Sequence, residues 1–260
     1  MIKKTAKSVN KWVDAVYVIS VKSFDSRIQH IKNELEKQNI SFEFMFLYDA
    51  NELDDVIIDK YFGLSNLKKN HQSLVLKNIA IWREAVAKNY HQVLIFEDDA
   101  ILSKDFIARF DEAMVAAEKL SEGWLTFLGG SDVKVPDYYF LQPGPLIALP
   151  MSTAEGYVSD LCSIKRRLHW LENNKVTLPA DQLIRQIDLE CATPHYWLTK
   201  AIVRQGSSTG LFDSVLDGHR QKHSRIFTIT RNKLNKLRRQ IIRRFVVTTK
   251  AKILHFLNLK

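Results

Sequence analysis

Apolar residues in this chain recur with two periods, and their alternation lays out an order of strands and helices. Val13 to Ser20 is a largely apolar run of β-forming residues, the pattern of a buried strand. Asp25 or Ser26 can cap a helix to about Gln38, with Ile28, Ile31 and Leu35 on one face. Phe42 to Leu47 alternates and is rich in aromatics, predicting a second strand. Over Gln72 to Lys88, the apolar residues Val75, Ile79, Trp82 and Val86 keep helical spacing. Gln92 to Phe96 is a third strand. A helix follows over about Lys104 to Leu120, with Phe106, Phe110, Met114 and Ala117 inward, and then a strand from Trp124 to Leu128 that ends at Gly129-Gly130.

The second half is less regular. Lys134 to Leu149 predicts a hairpin around Pro143-Gly144-Pro145. Met151 to Tyr157 reads as a loop entering a helix that runs to about Asn173. Asp181 to Ile187 is a short helix after Pro179, Thr193 to Val203 is extended, and Gly206 to Gly210 is an ordinary turn. Strands alternating with helices of this size imply an α/β protein with parallel strands. Ligands of such sheets collect beyond the carboxyl ends of the strands.

At one such end Val93-Leu94-Ile95-Phe96 runs straight into Glu97-Asp98-Asp99. Three adjacent carboxylates are costly to bury together unless a cation offsets them. Hard oxygen ligands suit Mg²⁺ or Mn²⁺, and a metal there can hold a diphosphate. A solvated acidic turn is the plain alternative.

With 260 residues, 46% of them apolar, the chain suits one large domain, alone or with an appendage. Cys162 and Cys191 lack CxxC spacing, which argues against a disulfide framework or structural zinc and for a reducing compartment. No window approaches the ~20 apolar residues of a membrane span, and the run Ala15 to Ile19 is too short for a secretory signal. The net charge of +9 is concentrated at one end. Residues 222–260 carry twelve Lys and Arg and no Asp or Glu, leaving −3 for residues 1–221. That break divides a body, 1–221, from a tail, 222–260. In the tail Leu234, Leu237, Ile241 and Phe245 are interleaved with Arg238, Arg239, Arg243 and Arg244, which predicts a basic amphipathic helix for an anionic membrane surface. Packing on its own domain or in a dimer is the alternative. The tail has few aromatics on which bases could stack, which argues against nucleic acid as its partner.

Several segments together resemble glycosyltransferase family 25, the bacterial lipopolysaccharide transferases. Val18-Ile19-Ser20-Val21-Lys22-Ser23-Phe24-Asp25-Ser26-Arg27 resembles the opening VINLDRRxDR, with Arg27 at the last arginine. Ser73 to Trp82 resembles GCxLSHxxxW in its tryptophan but has Lys77-Asn78 for Ser-His and lacks the Gly-Cys pair. Glu97-Asp98-Asp99 matches the family's acids, Thr153 to Val158 loosely matches a T-x-A-Y segment, and Pro179-Ala180-Asp181-Gln182-Leu183-Ile184 is similar to P-x-D-x-L-L. The resemblance covers residues 13 to about 217.

It implies a GT-A-like, Rossmann-type mixed sheet flanked by helices. It also implies a UDP-sugar donor and inverting transfer of a hexose, galactose or glucose, onto lipopolysaccharide or lipooligosaccharide at the cytoplasmic face of the inner membrane. Asp99 and Glu97 are then the expected metal ligands, and Asp98 contacts the ribose or a donor hydroxyl, although which acid touches metal stays open. Asp181 is the first candidate for the base that deprotonates the acceptor, and Glu155 the second. A helix-capping role is the plain reading of Asp181, and a solvated loop glutamate that of Glu155. Arg27 either holds donor phosphate or nucleotide, or is a surface arginine opening a helix. Lys77 and Asn78 are expected on a helix surface, Trp82 and Tyr157 in packing, and His71, His91 and His195 have no metal-ligand spacing. Two rival functions are a catalytically degenerate scaffold, suggested by Lys77-Asn78, and nucleic-acid binding through the tail.

Overall fold

The computed structural model describes residues 8–64, 66–130, 139 and 142–212, with the helical positions Thr230, Leu234, Leu237 and Ile241. Its strands are β1 (Ala15–Ile19), β2 (Glu43–Met45), β3 (Gln92–Glu97), β4 (Ala100–Leu102), β5 (Leu125–Phe127), β6 (Leu146–Ala148), β7 (Gly156–Asp160), β8 (His195–Leu198) and β9 (Val203–Gln205). Its α-helices are α1 (Asp25–Glu36), α2 (Asp55–Tyr61), α3 (Lys69–Ala87), α4 (Phe106–Ala117), α5 (Leu161–Asn173) and α6 (Ala180–Glu190).

Among the described residues seven strands form one mixed sheet in the order β2-β1-β3-β7-β5-β8-β6. The α/β, Rossmann-type expectation holds for β2, β1 and β3, which are parallel neighbours. The sheet is buried on both faces, which is why its strands read as near-continuous apolar runs. Tyr17, Ile19, Val93, Ile95 and Tyr157 pack with Val75, Ile79 and Trp82 of α3 and Leu183, Ile184 and Ile187 of α6. The alternate residues Val16, Val18, Leu94, Phe96 and Val158 face Ile31 and Leu35 of α1 and Phe106 and Phe110 of α4. Each fully buried side chain of this size contributes about 1.5–3 kcal/mol.

The second half corrects several expectations. Residues 156–160 are a strand, not the approach to a helix. β7 lies between β3 and β5, antiparallel to both. It is buried at every position, so it lacks the alternation that would mark it from sequence. Asp160 ends it and caps α5, its carboxylate accepting the Ser163 N–H at 2.9 Å. Most of the first run of the expected hairpin lies outside the described residues; β6 pairs antiparallel with β8. The short α2, capped by Asp54 through the Ile57 N–H at 2.8 Å, was not expected. Nor was β4, which forms a two-stranded sheet with β9. α1 is preceded by Phe24, and neither Asp25 nor Ser26 caps it.

The tail lies outside the described residues apart from four helical positions. Of these Leu234, Leu237 and Ile241 are 60%, 54% and 50% exposed. No helix among the described residues is long and apolar enough to cross a membrane.

Candidate active site

Strand direction brings the acids together. β1 and β3 are parallel with Ile19 opposite Glu97, so Ser20 and Glu97-Asp98-Asp99 emerge at one edge. Because β7 runs the other way, its beginning meets the end of β3, with Gly156 opposite Phe96. Glu155 therefore arrives at the same edge, and the Glu97 N–H donates to its carbonyl at 3.4 Å. A cleft of about 320 Å³ opens there. Ser20, Phe24 and Arg27 line it after β1, Ala50 and Asn51 after β2, Asn70, Ser73, Leu74 and Lys77 from α3, and Gln205 and Ser207 at the end of β9, together with the three acids.

The acids differ in their surroundings. Asp98 has both oxygens engaged: the Ser20 hydroxyl donates to one at 2.7 Å and Arg27 Nη1 to the other at 2.9 Å. Burial raises its proton affinity, and the opposing pull of Arg27 and Ser20 does not fully cancel that. Arg27 also lies 5.5 Å from the Phe24 ring centroid and 5.2 Å from that of Phe212. It is thus a cleft residue, not a surface arginine.

Asp99 is 2% exposed. The Ser207 N–H donates to its Oδ2 at 2.9 Å and the Gly206 N–H to its backbone carbonyl at 2.8 Å. Its Oδ1 is buried with no hydrogen-bond partner among the described residues. A Cβ at position 206 would fall 2.7 Å from the Asp99 carbonyl oxygen, so this approach needs glycine. The turn after β9 is a turn as expected, but it also cradles Asp99. The sequence signal was Gly206 itself, which carried no mark of its partner.

Glu97 receives Gln205 Nε2 at 3.3 Å. Its carboxyl is pushed well above the ordinary range, first by burial and then by Asp99, Glu155, Asp98 and Asp181. Four acids thus act on one, Asp181 and Glu155 among them, although neither of these two lines the cleft. Glu155 is buried and accepts the Gly130 N–H. A side chain at Gly130 would overlap the Trp197 ring, and its φ is +82°. Glu155 is therefore clamped and is no solvated loop residue. Asp181 sits in the first turn of α6 and accepts the Gln182 N–H at 2.9 Å. It is not the N-cap, which is Pro179.

Lys77 and Asn78 are 1% and 4% exposed, not on a helix surface. Lys77 Nζ pairs with Asp49 at 2.6 Å and donates to the Leu47 carbonyl at 2.8 Å, while Asn78 accepts the Tyr157 hydroxyl at 2.5 Å. Tyr157 is packed as expected, and burial raises its proton affinity. His195 is a core residue, its ring nitrogens 2.7 Å from Asp188 and 3.1 Å from the Met151 carbonyl.

Among the described residues no three His, Cys, Asp or Glu side chains close into a metal centre. Asp99 Oδ1 and Glu97 nonetheless suit a cation that takes one or two carboxylates and draws its other ligands from a phosphorylated substrate. The cation would satisfy the orphaned oxygen and offset the acids that crowd Glu97.

The model of glycosyltransferase family 25 (LPS biosynthesis protein) matches residues 13–134. The chain is 28% identical over 127 residues to the lipooligosaccharide biosynthesis protein lic2B of Haemophilus influenzae, covering 45% of this chain and 48% of that protein. It is 32% identical over 135 residues to the human inactive glycosyltransferase 25 family member 3, covering 46% of this chain and 22% of that one. It thus spans less than half the length of either relative. Among solved structures, mouse xyloside xylosyltransferase 1 in its apo form is similar with a TM-score of 0.36 at 9% identity, covering 68% of this chain and 81% of that one. The galactosyltransferase LgtC in complex with donor and acceptor sugar analogs gives a TM-score of 0.35 at 10% identity, covering 70% and 72%.

Proposed function

We propose that this chain, whose residues 13–134 match the model of glycosyltransferase family 25, transfers a hexose from a UDP-sugar to a lipooligosaccharide or lipopolysaccharide acceptor, with inversion. The observation that carries the reading is the buried Asp99 Oδ1, unpartnered among the described residues, beside Glu97 in a cleft at the carboxyl edge of the sheet. Asp99 and Glu97 would hold a Mn²⁺ or Mg²⁺ ion, which would supply neutralisation of the charge that develops on the leaving diphosphate. Ser207 and Gly206 fix the Asp99 carboxylate and backbone, so its free oxygen is pre-aimed. Arg27 and Ser20 hold Asp98 rigid for contact with the ribose or a donor hydroxyl. Asp181 takes the proton of the acceptor hydroxyl as its oxygen attacks the anomeric carbon and the bond to the diphosphate oxygen breaks. Glu155, clamped on Gly130, is the reserve base and otherwise a fixed negative charge near the developing oxocarbenium.

Titration calorimetry with UDP tests the site. Binding is expected with Mn²⁺ present and is expected to vanish on chelation. UDP affinity that ignores the metal would overturn the ligand assignment. Absence of binding in all conditions would favour the degenerate-scaffold alternative.

The body, 1–221, is assigned the chemistry and the tail, 222–260, the membrane. The three apolar tail positions with known exposure lie outward, and the tail's charge is entirely basic. Each basic residue near an anionic surface contributes about 1 kcal/mol. The full chain is expected to float with vesicles rich in anionic lipid at physiological salt, and a chain truncated after 221 to remain behind. Equal flotation of the two would refute the assignment to the tail. Such docking would hold the protein on the cytoplasmic face of the inner membrane, beside a lipid-linked acceptor.

A further inference from the structure

The cleft is lined by different charges at its two ends. At one, Glu97 feels Asp99, Glu155, Asp98 and Asp181. At the other, the charges acting on Lys77 are Asp49, Glu52 and Lys22. Lys77 lines this second end with Asn70, Ser73 and Leu74 of α3 and Asn51 of the loop after β2.

An ammonium group has three donors and no lone pair. Lys77 uses one on Asp49 Oδ1 and one on the Leu47 carbonyl. The third has no partner among the described residues, although the side chain is 2% exposed. A buried donor left unmade is costly, and such groups in native proteins call for an explanation. A ligand that supplies the acceptor is one. Asp49 cancels the lysine's charge, and its other oxygen accepts the Lys22 N–H at 3.0 Å. The pair is therefore neutral, and this end does not compete with the acid end for a diphosphate. A neutral pocket with small amides, a hydroxyl and Leu74 suits a flat heteroaromatic ring with a polar rim.

We propose that Lys77 is a specificity-determining residue that reads the nucleotide base, its third N–H donating to a ring carbonyl as in uracil and rejecting the amino group that cytosine carries there. This rests on the donor-site reading above. The chemistry discriminates because a lysine cannot accept: facing an amino group, donor meets donor and both lose a bond. Along the cleft the order is then base at Lys77, diphosphate at Asp99, and sugar beyond Glu97 toward Glu155 and Asp181. The Lys77-Asn78 departure from the family's Ser-His becomes a change in how the base is held, rather than a sign of degeneracy.

The test compares equilibrium binding of UDP and CDP, with Mn²⁺, to the wild-type chain and to the double variant Asp49→Asn/Lys77→Met. Both partners are replaced because removing Lys77 alone would strand a buried carboxylate. Wild type is expected to bind UDP roughly 10- to 100-fold tighter than CDP, and the double variant to bring the ratio toward one. A wild type with no preference for UDP, or a folded double variant that keeps the wild-type ratio, overturns the inference. The wild-type ratio decides by itself should the variant not fold. A wild type that binds neither nucleotide removes the donor-site reading, and this inference with it.

Discussion

Asp99→Asn is expected to abolish metal-dependent UDP binding and to lower kcat by about 10³-fold, while leaving the fold intact. The two oxygens of Asp99 have separate tasks. Oδ2 accepts the Ser207 N–H, and an asparagine carbonyl can do the same. Oδ1 has no partner among the described residues, and the amide NH₂ that replaces it has no lone pair for a cation. The change thus removes the capacity to ligate while keeping size and the turn contact. The predicted loss follows from the several kcal/mol that a metal supplies at a charged transition state. Calorimetry with Mn²⁺ and UDP, beside a thermal melt, separates binding from stability. A variant that melts like wild type and still binds UDP in a metal-dependent way would falsify Asp99 as the ligand. Asp98→Asn should behave differently. It weakens the ion pair with Arg27, and its effect on binding should be smaller, because both Asp98 oxygens already accept bonds from Ser20 and Arg27 and only their remaining lone pairs are left for a ribose or donor hydroxyl.

The acid cluster was legible because a run of β-formers ending in three carboxylates has few inexpensive explanations once buried. Its partners were not. Gly206 and Ser207 reach Asp99 only because β4 and β9 pair, an antiparallel contact between segments about a hundred residues apart, each too short to show a period. Glu155 looked like loop because β7 has no alternation, and only its antiparallel insertion puts the residue at the edge where the three acids emerge. Lys77 and Asn78 were misplaced for a general reason. Helical periodicity marks charged residues as outward, and nothing local reveals that Asp49 and the Leu47 carbonyl wait behind α3. The α/β class and the edge of the sheet where the acids gather depend on patterns repeated over many residues, so they could be read. The polar contacts each depend on one distant pairing, so they could not.

One such pairing carries the largest expected loss of stability. Arg167 of α5 and Asp188 of α6 are each 0% exposed at the side chain. They meet in a two-pronged contact, Nε to Oδ1 at 2.8 Å and Nη2 to Oδ2 at 2.7 Å, while Nη1 donates to the Ser159 hydroxyl at 2.7 Å. The guanidinium lies 5.4 Å from the Trp82 ring centroid. Burial alone would raise the Asp188 carboxyl, but Arg167 and His195 outweigh it and hold the group below the ordinary carboxylate range. Asp188→Ala should therefore cost about 3–5 kcal/mol, since it leaves a buried cation without a counter-charge. At roughly 2–4 °C per kcal/mol for a chain of this size, Tm should fall by about 10 °C. Replacing both partners, Arg167→Met with Asp188→Leu, should cost less than the single change, because no charge is left behind. A depressed native pKa means that the folded chain binds fewer protons than the unfolded one between the two values. The stability from Asp188 is then present above its unfolded value of ~3.9 and lost as pH falls through the folded one. Acid unfolding of the double variant should accordingly be less steep than that of wild type. The consequence reaches the cleft, because His195 and Trp197 both contact the Met151 carbonyl, at 3.1 and 3.0 Å, and Trp197 covers Gly130, whose N–H fixes Glu155. A single variant as stable as wild type would show that the ion pair is compensated elsewhere and does not anchor this edge.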